Sequence, residues 1–118
     1  MADSPAPRSF YPPEEFSNLR EQTLSQIEKD FALQGVQISI SREIAEYEKL
    51  VRSFADILGK ENLLEKGDLR ALLYQLDIAE SFAGEVIMKG DEEGKLLRLA
   101  DAIIKRCFAK VVYRQRFS

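Results

Sequence analysis

Apolar residues recur every three or four positions along four stretches of this chain, a spacing typical of amphipathic α-helices. A glycine follows each of the first three stretches, at Gly35, Gly59 and Gly90, where it is suited to cap a helix. At 118 residues the chain is long enough for one domain and too short for two. The predicted helices span residues 14–34, 41–58 and 68–88, and a fourth runs from residue 91 into the C-terminal segment.

The third predicted helix carries apolar side chains over more than half of its circumference, whereas the first is apolar on a narrow side only. A helix that is apolar nearly all round needs neighbours on several sides, so we expect helix three to be the central one. Short connections favour antiparallel neighbours. The predicted fold is therefore all-α, a small antiparallel four-helix bundle over residues 14–118.

Between helices one and two, Val36, Ile38 and Ile40 alternate with polar residues. A period of two predicts an extended segment. We expect this segment to be a connector that lies along the bundle. The alternative is that it pairs with the same segment of a second copy.

Residues 1–13 hold all four prolines of the chain and predict a flexible tail. Pro13 precedes two glutamates, a pattern that favours the start of a helix at residue 14. Phe10 and Tyr11 are the large apolar side chains of the tail, and they are candidates to dock it onto its own domain or onto a partner.

The chain has no histidine and one cysteine, Cys107. The usual imidazole and thiolate-cluster sites are therefore excluded. Cys107 lies in the apolar stripe of helix four, where burial keeps a thiol protonated and unreactive. We expect no catalytic residue, no metal site and no cofactor, and we expect the protein not to be an enzyme. A single thiol, without a secretory leader or a long apolar run, predicts a cytoplasmic protein with no membrane span.

The charge is distributed unevenly along the chain. Residues 1–93 carry 10 Lys and Arg against 19 Asp and Glu, whereas residues 94–118 carry 7 against 1. Cations beside aromatic rings suit contacts with a partner or with nucleic acid. The alternative is a solvated face whose charge is neutralised within the molecule. The candidate contact residues are Lys105, Arg106, Lys110, Tyr113, Arg114, Arg116 and Phe117.

Two polar residues of helix three, Gln75 and Glu80, project among its apolar side chains. Buried polar groups need partners. The structural interpretation is an internal hydrogen bond or ion pair with Arg106 or Lys110, and the functional one is a polar point in a ligand pocket.

These patterns predict a non-catalytic interaction domain, adaptor or regulatory in character, that associates with itself as a dimer and binds an unidentified protein partner. Self-association is expected because outward rows at Leu50, Ile57, Ile78 and Phe82 leave apolar surface to cover. One alternative is a nucleic-acid-binding protein that uses the basic end of helix four. Another is a small-ligand-binding or enzymatic protein with a polar pocket on helix three.

Overall fold

The computed structural model describes residues 10–61, 68–76, 78 and 90–117, and this part of the chain is all-α with no strand. No helix within it is both long and apolar enough to cross a membrane. The elements in these residues are a 3-10 helix (Phe16–Leu19), α1 (Arg20–Leu33), α2 (Tyr47–Lys60), α3 (Asp68–Gln75) and α4 (Glu92–Phe117).

The longest of these helices, α4, packs against both α1 and α2. Its 26 residues span about 39 Å. Gln26 of α1 is hydrogen-bonded to Arg114 of α4, and Asp30 of α1 is hydrogen-bonded to Lys110 of α4. Residue numbers therefore rise along α1 as they fall along α4, and the two helices are antiparallel. The α4 side chains buried in the core are Leu99, Ala100, Ile103, Ile104, Cys107, Phe108 and Val111.

The sequence predicts that helix one starts at residue 14, but a turn occupies this position and α1 begins only at Arg20. In this turn the N–H of Phe16 donates to the carbonyl of Pro13 (3.1 Å), and Glu15 has a φ of +68°. A left-handed residue of this kind interrupts a helix and costs about 1–2 kcal/mol. The turn buries the ring of Phe16 edge-on against Tyr47, with 5.2 Å between ring centroids. We infer that burial of this ring offsets the backbone strain.

The connector between α1 and α2 has no regular helix or strand, and it continues to residue 46 rather than ending at residue 41. Exposure alternates along residues 36–40, and the apolar positions are the less exposed ones, as the period of two predicts. Side chains of α1 satisfy its backbone. Arg20 donates to the carbonyls of Arg42 and Ile44, and Glu28 accepts the N–H of Ile40 at 2.9 Å. Because these backbone groups already have partners, the segment gains little from becoming a helix.

The Arg42 side chain completes this attachment. Its guanidinium binds Glu28 at 2.7 Å and Glu21 at 3.0 Å, and it also donates to the Ser25 hydroxyl at 3.1 Å. The hydrogen bond from Arg42 lowers the pKa of Glu28, and the two carboxylates in turn raise the pKa of Arg42. We call these four residues the Arg42 clamp.

Two glycine predictions have different outcomes. Gly35 follows α1 with a φ of +80°, the left-handed conformation expected after a helix. Gly59 does not end helix two, because α2 continues to Lys60. A Cβ atom at Gly59 would lie 3.2 Å from Leu96 Cδ1. The glycine therefore permits close approach of α2 and α4.

The predicted outward apolar row on α2 is wrong at Leu50. This side chain is 1% exposed and belongs to the core, because α2 packs against α4. Ile57 and Ile78 are partly buried against the same core. Phe82 lies outside the described residues.

Helix three is shorter than predicted. α3 ends at Gln75, and the N–H of Ile78 donates to the carbonyl of Leu73 at 2.9 Å, a bond that closes a helix C-terminus. The apolar periodicity that suggested a continuous helix extends into residues 79–88, which lie outside the described part of the chain. Within the described part, α4 packs against both α1 and α2.

Candidate functional site: the two ends of α4

The seven residues predicted as a basic contact surface fall into two groups. The first group is Lys105, Arg106 and Lys110, three cations that bind carboxylate or main-chain oxygens of this same chain. Lys105 pairs with Asp101 at 3.1 Å, one turn earlier on α4. Arg106 Nε donates to the main-chain carbonyl of Leu76 at 2.9 Å and so ties α4 to the end of α3. These contacts fit the interpretation that part of the charge is neutralised within the molecule.

Lys110 takes part in a polar cluster between α1 and α4. Its ammonium lies 2.9 Å from Asp30 Oδ2, and Asp30 is 3% exposed. Gln26 donates to the other oxygen of this carboxylate at 2.9 Å, and the Cys107 thiol lies 3.7 Å from Oδ2. A buried carboxylate with a cation and an amide donor is well satisfied. The cluster is therefore a polar link in the core.

Burial, and to a smaller extent the nearby Asp30 carboxylate, raise the pKa of the Cys107 thiol to about 12. A thiol with this pKa remains protonated at neutral pH and is a poor nucleophile. Burial likewise raises the pKa of Tyr47, whose hydroxyl donates to Asp101 at 2.7 Å. Both groups are held in their neutral forms.

The second group of predicted residues is exposed on the last turns of α4. We call Tyr113, Arg114, Arg116 and Phe117 the basic aromatic end. Tyr113 is 65% exposed and Phe117 is 70% exposed, and their ring centroids lie 4.8 Å apart. Arg114 reaches the neutral side chain of Gln26, and Arg116 is exposed. Two large rings and two cations are thus displayed together on the surface.

A cleft lies at the opposite end of α4, where its first turns approach α2. It has a volume of about 370 Å³. Ala55 at its base is buried and Leu96 and Leu97 are half-buried, whereas the three carboxyl groups around it are on exposed residues. The helix begins here because Asp91 caps it, accepting the N–H of Gly94 at 2.8 Å. We call this the acidic cleft, and it is lined by Arg52, Ala55, Asp56, Glu92, Glu93, Leu96 and Leu97.

Gln75 and Glu80 are predicted to form a polar site on helix three. Only Gln75 belongs to the described residues, because Glu80 lies outside them. The side-chain oxygen of Gln75, Oε1, accepts a hydrogen bond from the side-chain amide of Gln34, which follows α1. Its partner is thus internal, but it is neither Arg106 nor Lys110, the two predicted candidates. Gln75 lines neither the acidic cleft nor the second cleft described below.

Phe10 and Tyr11, the two aromatic residues near the end of the tail, differ in exposure. Phe10 packs against the core and is half-buried, whereas Tyr11 is 72% exposed. Phe10 therefore docks onto its own domain. A second cleft has a volume of about 240 Å³. It lies between the segment that precedes α1 and the last turns of α4. It is lined by Glu14, Glu15, Asn18, Leu19, Phe108, Val112, Gln115 and Arg116.

Sequence reasoning missed Asp30 and the acidic cleft. Asp30 was detectable, because at 100° per residue it falls in the same arc of α1 as Ile27 and Thr23, both of which are fully buried. The cleft had no such signal. It joins α2 to a part of α4 about forty residues later in the chain, and no local pattern reports that contact.

Comparisons with protein-family models, with curated proteins and with solved structures give no match for this chain. Among the residues that the structure describes, no three Cys, Asp or Glu side chains converge in a way that would hold a metal ion.

Proposed function

We propose that this chain is a non-catalytic interaction domain that holds a protein partner and that associates with itself through the basic aromatic end of α4. The observation that carries the proposal is the exposure of Tyr113 and Phe117 side by side, with Arg114 and Arg116 on the same turns. Aromatic and arginine side chains dominate the binding energy of protein interfaces. Their exposure here leaves a surface that gains from being covered.

The chemistry of the core supports a non-catalytic role. The groups best placed to react, the Cys107 thiol and the Tyr47 phenol, have raised pKa values and are protonated at neutral pH. A free and buried thiol is also in keeping with a reducing compartment, and we propose a cytoplasmic location.

We further infer that the four helices form an antiparallel bundle and that residues 14–118 are one domain. Leu72, Leu73 and Leu76 at the end of α3 support this, because they belong to the same buried cluster as the apolar faces of the other helices. The bond from Arg106 to the Leu76 carbonyl adds a polar link between α3 and α4.

Sedimentation equilibrium at micromolar concentrations tests self-association. We expect the wild type to sediment as a dimer, and we expect the combined substitution Tyr113→Ser and Phe117→Ser to give monomers. Tyr74→Ser is a matched control, because Tyr74 is an aromatic residue on α3 that is 86% exposed. A wild type that remains monomeric, or a control that loses association equally, contradicts this part of the proposal.

Single-stranded nucleic acid is a second candidate partner, because paired exposed rings beside two cations suit base stacking and phosphate contact. Fluorescence anisotropy with a labelled mixed oligonucleotide at about 50 and 200 mM salt tests it. This candidate predicts steep salt dependence and loss of binding on Arg114→Ala with Arg116→Ala, but not on Lys49→Ala with Lys60→Ala, two cations of α2. Absence of binding at low salt contradicts it.

A further inference from the structure

The two ends of α4 are complementary in charge and in shape. The basic aromatic end carries two cations and two exposed rings. The acidic cleft carries three carboxylates and one guanidinium over an apolar base, and that guanidinium, Arg52, is engaged by Glu48 at 3.4 Å. A projecting aromatic group with positive charge therefore matches a recess of about 370 Å³ with net negative charge.

The two surfaces cannot meet within one chain. Leu97 in the cleft and Phe117 in the basic aromatic end are 20 residues apart on one uninterrupted helix, which places them about 30 Å apart. A basic aromatic end can therefore enter an acidic cleft only between two molecules. A second copy of this chain supplies both at once.

We propose that the protein forms a two-fold homodimer in which the basic aromatic end of each copy occupies the acidic cleft of the other. This inference rests on the self-association proposed above and adds the surfaces that carry it. A two-fold axis makes the two contacts equivalent, so both form together. A two-fold interface is closed and satisfies both surfaces, which limits assembly to the dimer.

Charge reversal provides the test. Glu92→Lys with Glu93→Lys reverses the cleft, and Arg114→Glu with Arg116→Glu reverses the end. Each variant alone opposes like charges at both contacts, so we expect dimerisation to weaken at least about tenfold. An equimolar mixture opposes unlike charges at both contacts, and we expect it to restore a dimer that contains one copy of each variant. Native mass spectrometry distinguishes this heterodimer from homodimers by mass.

The outcomes separate this inference from the proposed function. If the wild type dimerises and the cleft variant dimerises equally well, self-association stands and the acidic cleft is not its site. If the wild type is monomeric, both fail. If the mixture stays monomeric although each variant has wild-type helicity and, at low protein concentration, wild-type thermal unfolding, the pairing of end with cleft is wrong. The control is Lys49→Glu with Lys60→Glu, which reverses two cations on the face of α2 that carries Asp56 without lining the cleft. Because it makes this face more negative, it is expected not to weaken dimerisation.

Disulfide trapping gives a readout that does not depend on charge. One chain carries Glu93→Cys and the other carries Phe117→Cys, while the native Cys107 is buried and stays unreactive. We expect oxidation of the mixture to join the two different chains at least tenfold faster than either chain joins to itself. Equal rates for all three pairings would overturn the proposed geometry.

Discussion

The middle of α4 and its last turns share one helix but differ in environment. Ile103 and Cys107 are fully buried between α1 and α2, whereas Tyr113 and Phe117 are about two-thirds exposed. The change occurs within one turn after Val111, where the buried stripe ends. The contrast teaches that helical periodicity assigns a residue to a face, and that the neighbours along the helix decide whether this face is core or surface.

The cations of α4 follow the same division. Lys110 in the middle of the helix meets the buried Asp30 carboxylate, and its energetic role is to compensate that charge. Arg114, one turn further on, meets the neutral amide of Gln26 at an exposed position. The first cation is paired with a carboxylate of the core, and the second is bound to an amide at the surface, where we propose that it meets a second copy.

The largest expected effect is in the middle of the helix. Ile103→Ala removes a fully buried side chain and leaves a cavity, so we expect it to lower the free energy of unfolding by about 2–5 kcal/mol. Urea denaturation measures this loss. A cost below about 1 kcal/mol would mean that the middle of α4 is not the centre of the core, and the contrast with the exposed end would disappear.

The cation of the buried cluster comes next. Lys110→Met leaves the Asp30 carboxylate buried without its cation, and we expect a loss of about 2 kcal/mol or more. The control is Lys105→Met, whose ion pair with Asp101 is closer to solvent and is expected to contribute about 0–1 kcal/mol. Equal losses for the two variants would contradict the assignment of Lys110 to the core.

The ion pair between Glu28 and Arg42 lies between the buried and the exposed pairs in exposure. Its contribution to the free energy of unfolding is tested by changing the pH. Arg42 lowers the pKa of Glu28 from its ordinary value of 4.5, so the unfolded chain binds this proton first as the pH falls. The stabilisation is therefore present at pH values above 4.5 and is lost as the pH falls through the lowered pKa. We expect Glu28→Gln to cost about 1 kcal/mol at pH 7 and almost nothing at pH 3, as measured by urea denaturation at each pH.

The control for this pH dependence is Glu46→Gln. Glu46 pairs with Lys49 at 3.3 Å, but its side chain is 68% exposed, so we expect its removal to change stability little at either pH. If the two variants have the same pH profile, the Arg42 clamp has no special role in holding the connector.

Sequence predicts the helices well and their ends poorly, and the reason lies in where the partners are. The stripes of α2 and α4 are local, so their periodicity reports them directly. The start of α2 depends on Arg20 and Glu28, which come from α1 and satisfy the backbone of the connector. No pattern within residues 41–46 contains that information.

The site shows the same limit. The order of residues in the sequence already shows cations and aromatic rings at the C-terminal end of the chain. The structure places four of the seven candidate contact residues together on the last turns of α4. Some of these cations bind groups of the same chain, and those groups lie far away in the sequence. Lys110, for example, binds Asp30, 80 positions earlier. The acidic cleft depends in the same way on the packing of α2 against α4.

The smallest expected effect on the isolated molecule is at the exposed end. Phe117→Ser with Tyr113→Ser removes two rings that contribute little to the core, so we expect the free energy of unfolding to change by no more than about 0.5 kcal/mol per site at low protein concentration. Concentration then separates a bare surface from an interface. If these rings join two copies, the wild-type Tm rises with protein concentration, because association stabilises the folded state, and the Tm of the variant does not. A wild-type Tm that is independent of concentration would leave the rings exposed without a second copy to cover them.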